Sequence, residues 1–236
     1  MKRTKITLLT YISIKYNLVK NRPIPYRSIT DAEVERYAED HSSPESVDIL
    51  NLIQQSDAEL DYIDMLSGPL VGNLLQLLVQ LTGAKRILEI GTFTGYTAIK
   101  MAEILPEGGS IETIEMNLRY QKIAEKHIEQ FGCTDKIVLI KANAREYVTQ
   151  LDKVYDLIYL DADKLYYHHY YTHGLPHLKS GGLMVVDNVL WNANVLKPND
   201  AKSEALDRFN KFITKDDRVD QVLLPIRDGC TVIRKR

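Results

Sequence analysis

The chain has 236 residues, 44% hydrophobic and 26% charged, which are ordinary globular values and exclude a disordered chain. Twelve glycines and eight prolines exclude a collagenous or low-complexity sequence; two cysteines, Cys133 and Cys230, are too few for a disulfide framework or a zinc cluster, so a reducing cytoplasm is expected. With 30 basic and 32 acidic residues the net charge is −2, without the cationic field of a general nucleic-acid binder.

The charge is unevenly spread. Lys2, Arg3, Lys5, Lys15, Lys20, Arg22 and Arg27 stand in residues 1–27 with no acidic residue, leaving 23 basic and 32 acidic residues, a net of −9, on the rest. Such an arm suits RNA, a membrane surface, the acidic face of a partner subunit, or plain packing against the body. The apolar stretch 6–14 follows basic residues as in a signal peptide, but Thr7, Thr10 and Ser13 interrupt it, Lys15 ends it, and no small-residue cleavage site follows. No other stretch approaches the roughly eighteen apolar residues of a membrane span. A cytoplasmic protein without membrane association is the expectation.

Residues 31–41 predict a short helix opened by Thr30 or Asp31, and Ser42-Ser43-Pro44-Glu45 predicts a second helix beginning there. Gly68-Pro69 breaks the pattern, after which 71–81 has helical apolar spacing up to Gly83. From Lys85 onward, strands at 86–90, 110–115, 136–141, 155–161 and 183–187 alternate with helices around 96–105, 117–131, 144–150 and 164–178. That alternation implies a parallel sheet covered on both faces. Residues 207–213 predict a last helix, and 219–225 with 230–234 flank Arg227-Asp228-Gly229 as a hairpin, so the final strand runs antiparallel to its neighbour. The expectation is one α/β domain over 1–236: a helical extension at 1–84, then a doubly wound, Rossmann-like core at 85–236.

Open parallel sheets bind ligands beyond the carboxyl ends of their strands. The first such loop reads Glu89-Ile90-Gly91-Thr92-Phe93-Thr94-Gly95-Tyr96-Thr97, and the second strand ends at Glu115. Gly91 and Gly95 permit a tight turn and a close approach of backbone to ligand, while Glu115 suits a ribose. A dinucleotide site wants Gly-x-Gly-x-x-Gly to cradle a pyrophosphate. Here the glycines are four apart and Glu89 lies beside the loop, which suits the cationic, phosphate-free S-adenosylmethionine better than a nicotinamide cofactor.

The fourth predicted strand ends in Asp161-Ala162-Asp163-Lys164 and the fifth in Asp187-Asn188. Asp161, Asp187 and Asn188 can converge at one rim as hard oxygen ligands for a divalent cation, Mg²⁺ first, with Mn²⁺ or Ca²⁺ as alternatives. The competing reading is that these acids cap the following helices. His169, His173 and His177 offer a zinc spacing, but Gly174 and Pro176 interrupt their helix. Tyr155, Tyr159, Tyr167, Tyr170 and Tyr171 read as packing or subunit contact, and Trp191 as a loop residue against which a planar substrate can rest.

The segments Glu89–Tyr96, Leu160-Asp161-Ala162-Asp163-Lys164, Asp187-Asn188-Val189-Leu190-Trp191 and Leu224-Pro225-Ile226-Arg227-Asp228-Gly229 together resemble the cation-dependent O-methyltransferases, the family of the caffeoyl-CoA and catechol O-methyltransferases and their bacterial relatives. The resemblance runs from about Met65 to the C-terminus. It implies a seven-stranded methyltransferase fold and a homodimer. It also implies that Asp161, Asp187 and Asn188 hold the metal and that Lys164 is the general base. Met65, Ser67, Glu89, Gly91, Thr97, Glu115, Ala144 and Asp161 fall where the family binds S-adenosylmethionine, and Asp228 where plant members contact substrate. Two departures stand out: Lys141-Ala142-Asn143-Ala144 replaces a Gly-containing stretch, and Ala193 stands where a glycine is common.

Methyl transfer from a sulfonium needs a deprotonated, aligned acceptor oxygen, which a cation chelated by two vicinal oxygens supplies. A catechol-type small molecule is therefore the expected acceptor. The alternative is a hydroxyuridine in tRNA, which some bacterial relatives methylate. A protein that merely senses S-adenosylmethionine has no use for Asp161, Lys164, Asp187 and Asn188 together.

Overall fold

The structure, a computed structural model, describes residues 29–60 and 62–236, so the basic segment 1–27 lies outside the described residues. Helix α1 spans Ala32–Asp40, and Asp31 caps it by accepting from the backbone N–H groups of Glu33 and Val34. The second helix, α2, spans Val47–Glu59 and is capped by Ser46 through the Ile49 N–H, so it begins later than the Ser42–Glu45 signal suggested. The reason is tertiary. Glu45 is committed to Lys100 and the Tyr96 hydroxyl and does not close a capping box. Helix α3 spans Gly68–Thr82; Gly68-Pro69 opens it instead of interrupting it, since a first-turn proline has no N–H to lose. Gly83, at φ 62°, ends it in a left-handed cap.

Seven strands follow: β1 Arg86–Ile90, β2 Ser110–Glu115, β3 Ile137–Lys141, β4 Tyr155–Leu160, β5 Leu178–Asp187, β6 Val219–Leu224 and β7 Cys230–Lys235. Their order across the sheet is β3-β2-β1-β4-β5-β7-β6. The first five are parallel, and β7 pairs antiparallel with both β5 and β6. Between them lie α4 (Tyr96–Ala102), α5 (Leu118–Gln130), α6 (Ala144–Tyr147), α7 (Tyr167–Gly174) and α8 (Ala201–Ile213). This is the doubly wound α/β sheet expected, with the last strand reversed.

The largest differences in boundaries lie between β4 and β5 and at the start of α8. The helix expected over 164–178 divides into a 3₁₀ turn at Lys164–Tyr166, α7, and a second 3₁₀ turn at Leu175–His177. Pro176 has no N–H to continue α7, and Leu178 already pairs with Tyr155, so β5 starts five residues earlier than its apolar run. Helix α8 begins at Ala201 instead of 207, because Asp200 and Ser203 form a capping box.

The faces of the sheet carry separate apolar layers. Ile87, Leu157, Tyr159 and Val185 face the layer built with α2, α3 and α4, where Leu52, Val71, Leu75 and Met101 are buried. Leu88, Ile158, Leu160 and Val186 face the other, built with α7 and α8, where Tyr167, Tyr171, Leu206 and Phe209 are buried. Tyr155 and Tyr159 lie four apart on β4 yet enter different layers, because the register shifts between Tyr155 and Leu157. Among the described residues no helix is long and apolar enough to cross a membrane.

Candidate active site

The sheet order reverses direction between β1 and β4, and at that switch point the strand tips splay and leave a crevice. A cavity of 690 Å³ opens there. Its wall includes Met65, Ser67, Gly91, Thr97, Glu115, Ala144, Asp161, Lys164, Asn188 and Trp191 of the residues singled out in the sequence. Glu89, Asp187 and Asp228 are fully buried and lie behind that wall.

The loop after β1 owes its course to Gly91. Its φ is 103°, and a Cβ there would stand 2.1 Å from the carbonyl oxygen of Asp161. Loop and β4 tip are also tied by the Asp161 N–H to the Ile90 carbonyl at 2.9 Å. Gly91→Ala is therefore expected to cost about 3 kcal/mol or more of stability and to abolish cofactor binding, because both backbone strain and a backbone clash must be relieved. A urea melt and a binding titration check this; wild-type behaviour in both would contradict it.

Glu89 sits beneath this loop, its carboxyl accepting from the hydroxyls of Thr97 and Thr113. Burial pushes its pKa up to about 8 against those two hydrogen bonds, so Glu89 shapes the loop from below. Glu115, at the β2 tip, accepts from the backbone N–H of Phe93 at 2.9 Å and of Asn117 at 2.8 Å while lining the cavity. From the outside, His127 of α5 donates Nδ1–H to the Thr94 carbonyl at 2.9 Å, and its burial holds its pKa below the usual histidine range. The neutral ring is a fixed support for the loop.

Across the crevice, Leu160 pairs with Val186, so Asp161 and Asp187 occupy the next rung on adjacent strands, on the face shared by Tyr159 and Val185. Asp187 accepts from the Tyr159 hydroxyl at Oδ2 (2.8 Å) and from the Asn188 N–H at Oδ1 (2.8 Å). Burial, followed by the charge of Asp161, pushes Asp187 up to about 7, with Lys164 pulling the other way. Lys164 Nζ lies 2.5 Å from Asp161 Oδ1. Asp187, buried and beside the charge of Asp161, is a corner that a hard cation would relieve, and Asn188, at φ 56°, follows it and lines the cavity. The histidines diverge: the His169 and His173 rings lie 4.4 Å apart on α7, whereas His177 Nδ1 donates to the Lys153 carbonyl.

The loop after β5 carries Trp191, Asn192 and Ala193 at φ 50°, 53° and 61°, three successive left-handed residues. Ala193 thus adopts a conformation that glycine takes without cost. Asp228 holds the loop in place: its Oδ1 accepts from the Asn192 N–H at 2.5 Å and its carbonyl from the Leu190 N–H at 2.9 Å. The Asp228 side chain thus lies behind the wall, beneath the Trp191 loop. Trp191 itself lines the cavity, with Lys202 Nζ 5.2 Å from its ring centroid.

Several wall residues had no local signal. Arg145 packs over the Tyr166 ring and donates to its hydroxyl at 2.7 Å. Arg227, at φ 53°, lines the cavity and pairs with Glu35 of α1 at 3.0 Å, 192 positions away. Tyr159 had a readable clue, since a tyrosine in an otherwise apolar strand brings a hydroxyl that must find a partner.

The family profile for O-methyltransferases matches residues 39–236. A caffeoyl-CoA O-methyltransferase of Zea mays is 35% identical over 178 residues, covering 70% of this chain and 69% of that protein. One from Nicotiana tabacum is 30% identical over 235 residues, covering 93% and 98%. The crystal structure of the O-methyltransferase from Bacillus cereus in complex with SAH superposes with a TM-score of 0.79 at 28% identity, over 86% of this chain and 97% of that one. A doubly wound sheet with a reversed last strand and a crevice at its switch point is a methyltransferase architecture. This chain belongs to the O-methyltransferase family.

Proposed function

We propose that the protein is a cytoplasmic, S-adenosylmethionine-dependent and divalent-cation-dependent O-methyltransferase acting on a vicinal dihydroxy, catechol-type small molecule. The observation that carries the reading is the placement of Asp161 and Asp187 one residue beyond the paired Leu160 and Val186 of neighbouring strands, with Asp161 lining the same crevice as Gly91. The donor reading is supported by the acidic, tightly turned loop and by the SAH complex of the Bacillus cereus relative. SAH is what the donor becomes after losing its methyl group. Met65, Ser67, Thr97, Glu115, Ala144 and Asp161 line the pocket that would hold the donor.

Asp161, Asp187 and Asn188 would hold Mg²⁺, with Mn²⁺ or Ca²⁺ as alternatives. Such a cation lowers the pKa of a chelated acceptor hydroxyl. Lys164, with Nζ beside Asp161, is the base placed to take up the acceptor's proton. Trp191 offers a flat apolar face for a planar acceptor. Exposed Leu77 and Leu81, one turn apart on α3, are consistent with a homodimer.

A second reading, methylation of a hydroxyuridine in tRNA, is favoured by the seven basic residues of segment 1–27. A methyl-transfer assay with labelled S-adenosylmethionine separates the two. Transfer to a catechol panel with added Mg²⁺ supports the first; transfer only to tRNA lacking the modification, with salt-sensitive binding, supports the second. Transfer to neither sinks both.

A further inference from the structure

The hydroxyl of Tyr159 lies between both halves of the crevice. It is 2.8 Å from Ser67 Oγ on one side and 2.8 Å from Asp187 Oδ2 on the other, and the ring is fully buried. Ser67 precedes α3 and lines the cavity next to Met65 and Leu66, so it belongs to the wall assigned to the donor. Asp187 belongs to the cation's corner. No other side chain among the hydrogen bonds described spans these two groups.

Counting protons fixes the direction of this chain. A phenol has one proton, and the hydrogen bond from the Tyr159 hydroxyl to Asp187 Oδ2 uses it. Ser67 must then donate its own proton to Tyr159, which leaves Ser67 Oγ with only lone pairs to offer the cavity. A ligand that meets Ser67 does so with a donor, such as an ammonium or hydroxyl. A donor arriving there polarises Ser67, Ser67 polarises Tyr159, and the bond from Tyr159 to Asp187 strengthens in turn. The other oxygen of Asp187 is already fixed by the Asn188 N–H. Occupancy of the donor pocket thus sharpens the aim of the buried carboxylate.

We propose that Tyr159 is a positioning residue that couples the two halves of the site: through Ser67–Tyr159–Asp187, a ligand in the donor pocket tightens cation binding, and the cation tightens ligand binding by the same factor. The proposal rests on the assignment of Asp187 as a cation ligand made above.

The test is calorimetric titration of Mn²⁺ into the metal-free full chain at pH 8, with and without saturating SAH. For wild type, SAH is expected to tighten Mn²⁺ binding about five- to tenfold, the lower range of ordinary coupling. In Tyr159→Phe, which removes only the hydroxyl, that ratio falls below about twofold, and Mn²⁺ binding without SAH weakens. Ser67→Ala cuts the chain at its other end, and the ratio again falls below about twofold. It also provides the reading if Tyr159→Phe fails to fold. A wild-type ratio of one, or an undiminished ratio in either variant, overturns the relay and leaves the cation assignment standing. Failure of wild type to bind Mn²⁺ in either state overturns the cation assignment, and the relay with it.

Discussion

Lys164→Ala is expected to lower turnover by about 10²–10⁴-fold, the usual span for loss of a general base, while SAH affinity changes less than about threefold. The side chain is nearly buried, and Nζ lies against Asp161 at the mouth of the crevice, so removing it touches the acceptor's proton and leaves the Gly91 loop intact. Lys164→Arg separates chemistry from charge. A guanidinium can keep the ion pair with Asp161 but stays protonated, so it cannot accept the proton. Equal loss in the Ala and Arg variants supports the base; recovery of activity in Lys164→Arg would reduce Lys164 to an electrostatic partner. Single-turnover measurements together with SAH titration make the distinction.

Stripping divalent cations is expected to abolish methyl transfer, with cofactor affinity retained within about tenfold, since the coupling through Tyr159 is of that size. The same corner predicts how the cation effect depends on pH. Asp187 titrates at about 7 in the cation-free protein because it is buried beside Asp161. Its folded pKa is raised, so its protonated form carries the stability, and that contribution is lost as pH rises through about 7. Above that pH the Asp187 carboxyl is ionised and a cation meets no competing proton there. Below it, each pH unit should weaken the cation's binding about tenfold. Added Mg²⁺ should therefore raise the melting temperature by several degrees at pH 8 and by little at pH 6. A stabilisation independent of pH, or greatest at pH 6, would place the cation elsewhere.

The parts of this site that were legible in the sequence are those where one-dimensional pattern and chemistry coincide. An apolar strand that stops at an acid places that acid at the rim, and two such strands in a parallel sheet place Asp161 and Asp187 on one rung. Glycines four apart after a strand mark a loop that must turn tightly, and Gly91 does so against the Asp161 carbonyl. Depth was not legible. Strand periodicity assigns Glu89 and Tyr159 to a face but does not say whether a side chain ends in the cavity or beneath its floor. Nor was Asp228 legible in detail, because its hydrogen bond runs to a loop 36 positions away.

Helix boundaries failed where tertiary contacts outbid local signals. Glu45 was a plausible capping residue for α2 but is held by Lys100 and Tyr96 of α4 instead. The contribution of α1 was invisible for the same reason. Glu35 looks like one more solvent-facing acid on a polar helix, yet it is buried against Arg227 at the cavity wall. Ala193 shows the converse: a departure noted in the sequence turned out to sit in a left-handed run, where the missing glycine would have cost nothing.

Anomalous diffraction from crystals grown with Mn²⁺ and SAH tests the whole account most directly. A single peak in contact with the side-chain oxygens of Asp161, Asp187 and Asn188, beside the SAH sulfur, is the predicted result. Bound SAH with no peak in that corner, and Lys164 still paired with Asp161, would contradict it.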